Sequence, residues 1–256
     1  MISTVRHAGT RLSILAVAAL ALVCGSAARL AAWGPPFQTD DPEPVPFRHW
    51  EFYLASIGFH DMGQTFTTFP HIEVNYGAAP GLQLHMIAPF VYSKVSGAPA
   101  AYGYGDMELG AKYRFFKETA KTPEIGTFPL VEVPTGDAAR GLGSGQTQVF
   151  VPIWLQKSLG HWSSYGGTGY WHNPGPGNKN WNFSGVELQR DAGKFGWLGG
   201  EVFHTTAAQV DGAASTSFNI GGQFDFSKVN HLIFSAGRNL TGPRQELWYV
   251  SYYVTL

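Results

Sequence analysis

The stretch DMELGAKYRFF, residues 106–116, alternates between charged and apolar residues with a period of two. The apolar side chains that share one face are Met107, Leu109, Ala111, Tyr113 and Phe115. The charged side chains on the other face are Asp106, Glu108, Lys112 and Arg114. Because successive side chains of an extended chain point to opposite faces, the stretch predicts a β-strand with one apolar and one charged side.

The same alternation recurs along the chain after residue 48. Twelve segments carry it, near residues 49–60, 66–77, 81–92, 105–117, 124–134, 146–158, 162–172, 180–191, 196–206, 215–227, 230–238 and 246–256. The segments at 124–134, 162–172 and 180–191 are the least regular and are expected to carry bulges. The pattern predicts an all-β protein of about twelve strands.

The connections between these segments differ in length at the two strand ends. From the second strand onward, every other connection is short, as at 78–81, 159–161 and 228–229. The intervening connections, such as 93–104 and 135–145, are longer and rich in Gly, Pro and Ala. Short turns at one end and long loops at the other are typical of a transmembrane up-and-down antiparallel β-barrel in the bacterial outer membrane.

A soluble β-sandwich is the alternative, since it produces the same alternation. Two features count against it. The polar faces carry few Lys and Glu and many Gly, Ser, Gln and Asn. Rings also lie near strand ends on the apolar faces, as aromatic girdles require: Tyr76, Phe90, Tyr92, Phe115, Phe226 and Trp248. We therefore expect outer-membrane lipid around the barrel, and the C-terminal strand Trp248–Leu256 as the segment that meets the barrel-assembly machinery.

The first residues have the composition of an export signal. Arg6 and Arg11 precede an apolar run at 12–24, and small residues follow at 25–28. We expect a signal peptide over residues 1–28, with Ala32 as the alternative cleavage point. A retained helical anchor would need about 20 apolar residues, more than this run supplies. Cys24 is the only cysteine, so the processed chain has no thiol and no disulfide.

Composition and motifs exclude several functions. The chain has 256 residues, 17 Lys and Arg against 18 Asp and Glu, and no basic run, so nucleic acid is not an expected partner. No zinc-protease, nucleophile-elbow or nucleotide-binding motif is present. We expect no enzyme activity, no cofactor and no metal. The alternative is a barrel hydrolase that uses Ser163 or Ser164 with His172.

Five motifs resemble a known family: GPPFQTDDPEP at 34–44, HWEFY at 49–53, EVNYG at 73–77, GDMELGAKYRF at 105–115 and PLVEVPTGD at 129–137. Together they resemble the outer-membrane proteins of the phenol-degradation meta-pathway family. The resemblance implies an outer-membrane barrel and a role in moving aromatic or other small organic compounds.

The polar faces should line the interior of the barrel. The hypothesis for its lining names Glu73, His85, Glu108, Lys112, Arg114, Glu132, Phe150, Trp154, Glu187 and Glu201. Hairpin pairing places Glu73 near His85, Glu108 near Glu132, and Glu187 near Glu201. Adjacent carboxylates are costly unless one holds a proton or Lys112 and Arg114 reach them. The wall is then a cation-attracting constriction or a polar binding site, or else a salt-bridged network that stiffens the wall and blocks the pore.

The segment 33–48 is rich in proline and cannot form a ladder strand. Its acids Asp40, Asp41 and Glu43 suit a cation site or a short plug, but we expect a solvated lead-in on the periplasmic side, before a barrel over 49–256. The function we predict is passive uptake of small organic, aromatic solutes through an outer-membrane channel. The alternatives are a closed structural or surface-binding barrel and the barrel hydrolase. The sequence leaves the oligomeric state open.

Overall fold

The computed structural model describes residues 35–61 and 63–256, so the expected signal peptide lies outside the described residues. The strands are β1 (Trp50–Asp61), β2 (Gln64–Ala79), β3 (Leu82–Val95), β4 (Ala101–Tyr104), β5 (Met107–Phe116), β6 (Glu124–Thr127), β7 (Leu130–Val133), β8 (Gln148–Leu159), β9 (Trp162–His172), β10 (Trp181–Asp191), β11 (Gly196–Thr205), β12 (Ser215–Asp225), β13 (Asn230–Thr241) and β14 (Gln245–Thr255). Two short 3-10 helices, Ala138–Arg140 and Gly193–Phe195, complete the set. Among the described residues, no helix has the length and apolar character needed to cross a membrane.

All neighbouring strands are antiparallel, and the sheet closes on itself. The last strand pairs with the first, with Leu54 opposite Tyr252, and β3 pairs with β5. β4 and β5 together form one interrupted strand beside β3, and β6 and β7 form another between β5 and β8. Counted this way the barrel has twelve strands, which confirms the predicted fold class and strand number.

The two faces of the wall differ as the alternation predicts. On β8, Val151 and Ile153 point outward and are 53% and 45% exposed, whereas Trp154 points inward and is 2% exposed. Rings gather at both ends of the outer face, for example Trp50 stacked on Tyr76 with ring centroids 4.2 Å apart. A sandwich would bury this apolar face in a core, so the structure excludes that alternative and is that of a membrane-spanning barrel.

The expectation of a solvated lead-in is wrong. Residues 35–48, which we call the N-terminal plug, lie inside the barrel, where Thr39 and Asp41 are completely buried. Proline explains why this segment tolerates burial. A buried backbone N–H requires a partner, and Pro has none to satisfy. The same residues that prevent strand formation therefore reduce the cost of placing a non-strand segment in the lumen.

Candidate functional site

The N-terminal plug enters the barrel at the end where the start of β1 lies beside the C-terminus of the chain. Arg48 N donates to Gly77 O at 2.7 Å, and Trp50 N donates to Leu256 O at 2.8 Å. At two points where the plug approaches most closely, the wall residue is a glycine and has no side chain. A Cβ on Gly77 would lie 1.9 Å from Pro46 O, and a Cβ on Gly185 would lie 2.2 Å from Thr39 Oγ1. These glycines leave room for the plug, so wall and plug are complementary in shape.

Side chains of the wall form hydrogen bonds with backbone groups of the plug. The Glu201 carboxylate accepts from Gln38 N at 2.9 Å and from Thr39 N at 2.8 Å. Gln83 Oε1 accepts from Val45 N at 2.9 Å. Ser235 Oγ donates to Pro36 O at 2.6 Å. The plug is thus held from β3, β11 and β13 at once, on different sides of the lumen.

Two basic residues of β5 hold the acidic residues of the plug. Lys112 Nζ lies 2.9 Å from Asp40 Oδ1 and 3.6 Å from Asp41 Oδ2. Arg114 Nη1 lies 3.3 Å from Glu43 Oε1 and also pairs with Glu124 of β6. Burial raises the pKa of Asp41 well above its usual range, and Lys112 only partly offsets this. Burial and the nearby Glu124 raise the pKa of Glu43.

The predicted carboxylate pairs form, but the side chains of Lys112 and Arg114 do not pair with them. Glu108 lies directly opposite Glu132, and Glu187 lies directly opposite Glu201. The sequence predicts that one carboxyl of a pair holds a proton or that Lys112 and Arg114 reach the pair. Their side chains pair with plug acids and Glu124 instead, because the plug brings carboxylates closer to them.

His85 joins two of the predicted acidic residues. Its Nε2 lies 3.0 Å from Glu108 Oε1, and its Nδ1 lies 3.6 Å from Glu73 Oε1. Glu73 is thus diagonal to His85, and Asn75 sits directly opposite His85. Asn75 Nδ2 donates to Glu73 at 2.9 Å. This side of the lumen is a hydrogen-bonded polar wall.

A partly open cavity of about 80 Å³ lies between the plug and this polar wall. Its lining includes Asp40, Asp41, Glu51, Glu73, Lys112 and Phe128. The plug therefore does not fill its end of the lumen. Within the described residues, no cluster of His, Cys, Asp and Glu has an arrangement that could hold a metal ion.

The other half of the lumen is aromatic. Five buried rings, from β8, β10, β11 and the break between β6 and β7, form one cluster, namely Phe128, Phe150, Trp154, Phe183 and Phe203. Trp171 and Trp181, which flank the long 173–180 loop, extend the cluster toward the rim; they stack with centroids 5.4 Å apart. Of these residues, Phe150 and Trp154 belong to the predicted set. The other rings of the cluster were not in the predicted set. They lie at inward-facing positions, which the alternation of side chains along each strand is enough to identify.

One buried donor in the aromatic cluster is unused. The Nε1–H of Trp154 has no hydrogen-bond partner among the described residues. A buried donor without a partner costs free energy, about 1–3 kcal/mol. The indole N–H is therefore a donor available to a polar atom that reaches it.

The Ser and His residues of the hydrolase alternative do not meet. Ser164 and His172 lie at opposite ends of β9, eight residues apart along one extended strand. At about 3.3 Å per residue this separates them by roughly 26 Å. Ser163 Oγ is hydrogen-bonded to Ser158 Oγ, and Ser164 Oγ donates to Glu187 O. This arrangement cannot act as a nucleophile and base pair.

Asp106 is a site residue that the sequence reasoning missed. Its carboxylate accepts from Gly136 N at 2.9 Å, and from Ser144 N and Ser144 Oγ at 2.6 and 2.9 Å. These bonds fasten the Gly-rich loop between β7 and β8 to the barrel rim. The position of Asp106 at the loop end of a strand was a usable signal, since such carboxylates often bind loop backbone.

No protein-family model and no curated protein matches the sequence. Solved structures do resemble it. The COG4313 outer membrane channel from Pseudomonas putida F1 is 18% identical, with a TM-score of 0.66 over 84% of this chain and 98% of that chain. The translocator domain of the autotransporter NalP from Neisseria meningitidis is 9% identical, with a TM-score of 0.52 over 80% of this chain and 87% of that chain. At these identities the likeness shows the fold, an outer-membrane β-barrel.

Proposed function

We propose that this protein is a bacterial outer-membrane channel for passive uptake of small aromatic solutes. The observation that carries the proposal is the aromatic cluster inside the extracellular half of the lumen. Rings on the inner face of the wall, rather than on the lipid face, offer stacking surfaces to a ring that enters the lumen. Trp171 and Trp181 give this cluster an approach from the rim, and the Trp154 indole supplies a donor at its base.

The resemblance of the five sequence motifs to the phenol-degradation meta-pathway family supports the same proposal. So does the likeness in fold to the COG4313 outer membrane channel. No nucleotide-binding motif is present in the sequence, so uptake runs down a concentration gradient. Lipid surrounds the outer face, and assembly through the C-terminal strand Trp248–Leu256 belongs to the proposal.

A specific observation also favours a second candidate, a closed structural barrel. The N-terminal plug occupies the periplasmic half of the lumen and is bonded to several strands. A permanently closed barrel would pass no solute. The two candidates therefore differ in one measurable quantity, the solute flux.

Uptake of radiolabelled toluene by intact cells of a Gram-negative host distinguishes these candidates. We expect cells that carry the protein to take up toluene faster than cells with an empty vector. Replacing Phe150 and Phe183 together by Ala should reduce this uptake, and Leu188→Ala on the outer face should leave it unchanged. Equal uptake with and without the protein would refute the channel and favour the closed barrel.

A second substitution tests the unused donor. Trp154→Phe keeps an aromatic ring but removes the Nε1–H, so toluene uptake should remain while phenol uptake falls. A single lost neutral hydrogen bond is worth about 1 kcal/mol, roughly a fivefold change in binding. Equal loss for both solutes would show that the indole acts only through its ring.

A further inference from the structure

A row of charged and polar side chains lies on the outer face of the barrel, close to its loop end. The strand registers align Lys94 of β3 with Thr65 of β2, Thr65 with His60 of β1, His60 with Glu246 of β14, and Glu246 with Arg238 of β13. His60 Nδ1 lies 2.8 Å from Thr65 Oγ1, so these two side chains share one face. We call these five residues the rim row.

The rim row lies at the height of the lipid headgroups. Two residues from Lys94 toward the middle of the barrel wall, the same face of β3 carries Tyr92, which is exposed. Two residues from Glu246 in the same direction, β14 carries Trp248. Trp and Tyr rings on the outer face of a barrel mark the boundary between the hydrocarbon and the headgroups. Because the long loops of such barrels are extracellular, the rim row lies among the headgroups of the outer leaflet.

Positive charge predominates at this part of the rim. Lys94, Arg238 and Arg244, which lies in the turn between β13 and β14, are all exposed. Of the two acids beside them, Glu246 pairs with Arg244 at 3.4 Å, and Asp61 accepts hydrogen bonds from backbone N–H groups of its own turn. The guanidinium of Arg238 forms no hydrogen bond or ion pair with any residue that the structure describes. An anion that approaches the rim row therefore meets an available donor.

The opposite side of the same rim lacks basic residues. The outward positions nearest the loop end of β8 to β12 include no Lys or Arg; they are Val149, Tyr170, His172, Asn182, Ser184, Val202, His204, Thr216 and Phe218. The bases thus concentrate on the side formed by β13, β14 and β1 to β3, which contains the closure of the barrel between β1 and β14. Solubility alone would not require such an uneven distribution, so the pattern favours an anionic partner at one side of the rim.

We propose that the rim row and Arg244 bind the phosphate groups of lipopolysaccharide, the phosphorylated glycolipid of the outer leaflet. Its lipid A headgroup is a disaccharide with a phosphate at each end, and Arg and Lys bind phosphate through charge-assisted hydrogen bonds. From Lys94 to Arg238 the rim row covers four strand spacings, about 19 Å, so the long side chains at its two ends can contact both phosphates of one headgroup. The acyl chains then pack on Tyr92 and Trp248. A bound lipid would bridge β3 and β13 across the closure of the barrel.

Native mass spectrometry of the purified protein in detergent tests the site, with bisphosphoryl lipid A as the probe. We expect the wild type to form a lipid adduct, and Lys94→Gln with Arg238→Gln to bind the lipid about 30-fold more weakly, since each exposed base beside an anionic headgroup contributes roughly fivefold. Lys157→Gln with Arg190→Gln is the matched control. It removes the same charge from outward positions at the turn end of the barrel and should bind the lipid as the wild type does.

Dephosphorylated lipid A separates the phosphates from the rest of the lipid. It keeps the disaccharide and the acyl chains, and it should bind the wild type as weakly as bisphosphoryl lipid A binds Lys94→Gln with Arg238→Gln. Equal binding of both lipids to the wild type would overturn the proposal, because the contact would then involve the acyl chains alone. Equal binding of bisphosphoryl lipid A to the wild type and the double variant would also overturn it. So would a second copy of the chain in place of the lipid, if the double variant lost that copy.

Thermal stability provides a second readout, which involves no transported solute and so does not depend on the proposed function. A ligand that binds only the folded barrel stabilises it, so bisphosphoryl lipid A should raise the temperature of the heat-dependent gel shift for the wild type. The increase should be lost in Lys94→Gln with Arg238→Gln, whose gel shift without lipid verifies that the barrel is folded. Added salt should also reduce the increase, because it screens exposed charges. An increase that persists in the double variant and in high salt would contradict the phosphate contacts.

Discussion

Replacing Lys112 by Met should release the N-terminal plug. The Lys112 ammonium is buried, with two plug carboxylates within 4 Å, and Met fills similar space without the charge. Removing one partner of a buried ion pair costs about 3–5 kcal/mol. Because burial already raises the pKa of Asp41, that carboxyl can take up a proton and limit the cost. We therefore use the lower value, about 3 kcal/mol, which shifts the docking equilibrium by roughly 100-fold.

Labelling of a single thiol measures this shift directly. Thr39→Cys places a thiol on the buried side of the plug, where a membrane-impermeant maleimide reacts only after undocking. The labelling rate then follows the undocked fraction and should rise by roughly 100-fold with Lys112→Met. Single-channel conductance in planar bilayers should rise in parallel, because the axial path opens to ions.

Two further variants make this prediction refutable. Lys157→Met removes another lysine that pairs with a glutamate, Glu118, but this pair is partly exposed at a periplasmic turn and should have no effect. Adding Asp40→Asn and Asp41→Asn to Lys112→Met removes the unpaired carboxylates and should restore docking. Unchanged labelling and conductance in a folded Lys112→Met barrel would show that the ion pairs do not hold the plug.

The remaining predictions concern pH, selectivity and shape. Burial raises the pKa of Asp41 and of Glu43, so the docked plug binds more protons than the undocked plug. Docking should therefore weaken, and conductance should increase, as the pH rises above the usual range of carboxyl groups. Asp41→Asn with Glu43→Gln should flatten this rise, and an unchanged slope would exclude both groups. In the Lys112→Met background, Glu108→Gln with Glu132→Gln should lower cation preference in reversal-potential measurements; an unchanged potential would remove these residues from the conducting path. Gly185→Val should displace the plug by direct overlap with Thr39, seen as faster conductance fluctuations, and equal traces for variant and wild type would show that the wall adjusts.

The sequence predicts the wall of the barrel well because the wall depends on local chemistry. A period of two places each side chain inside or outside, and short turns set the register of adjacent strands. Glu108 opposite Glu132 and Glu187 opposite Glu201 follow from these rules alone, and the structure confirms both pairs. Their role in selectivity stays a prediction.

The partners of Lys112 and Arg114 depend on contacts that no local rule specifies. Lys112 pairs with Asp40, 72 positions earlier in the chain, and Arg114 pairs with Glu43, 71 positions earlier. Proline excludes a strand over the plug, but it is equally compatible with a solvated linker and with a buried segment that has few donors. Glycines on the inward face at 77 and 185 were the available signal, since an inward glycine indicates that another chain segment approaches closely.

The arrangement of chemistry along the lumen gives two kinds of solute different surroundings. Lys112 Nζ lies 5.1 Å from the centroid of Phe128, so the aromatic cluster borders the charged part of the lumen. A solute beside the rings therefore meets buried charges and the plug next to it. Since a hydrocarbon gains nothing from buried charges, uptake of uncharged rings and conduction of ions should respond to different substitutions. Lys112→Met should then raise ion conductance, while toluene uptake should depend on Phe150 and Phe183 in this variant as it does in the wild type.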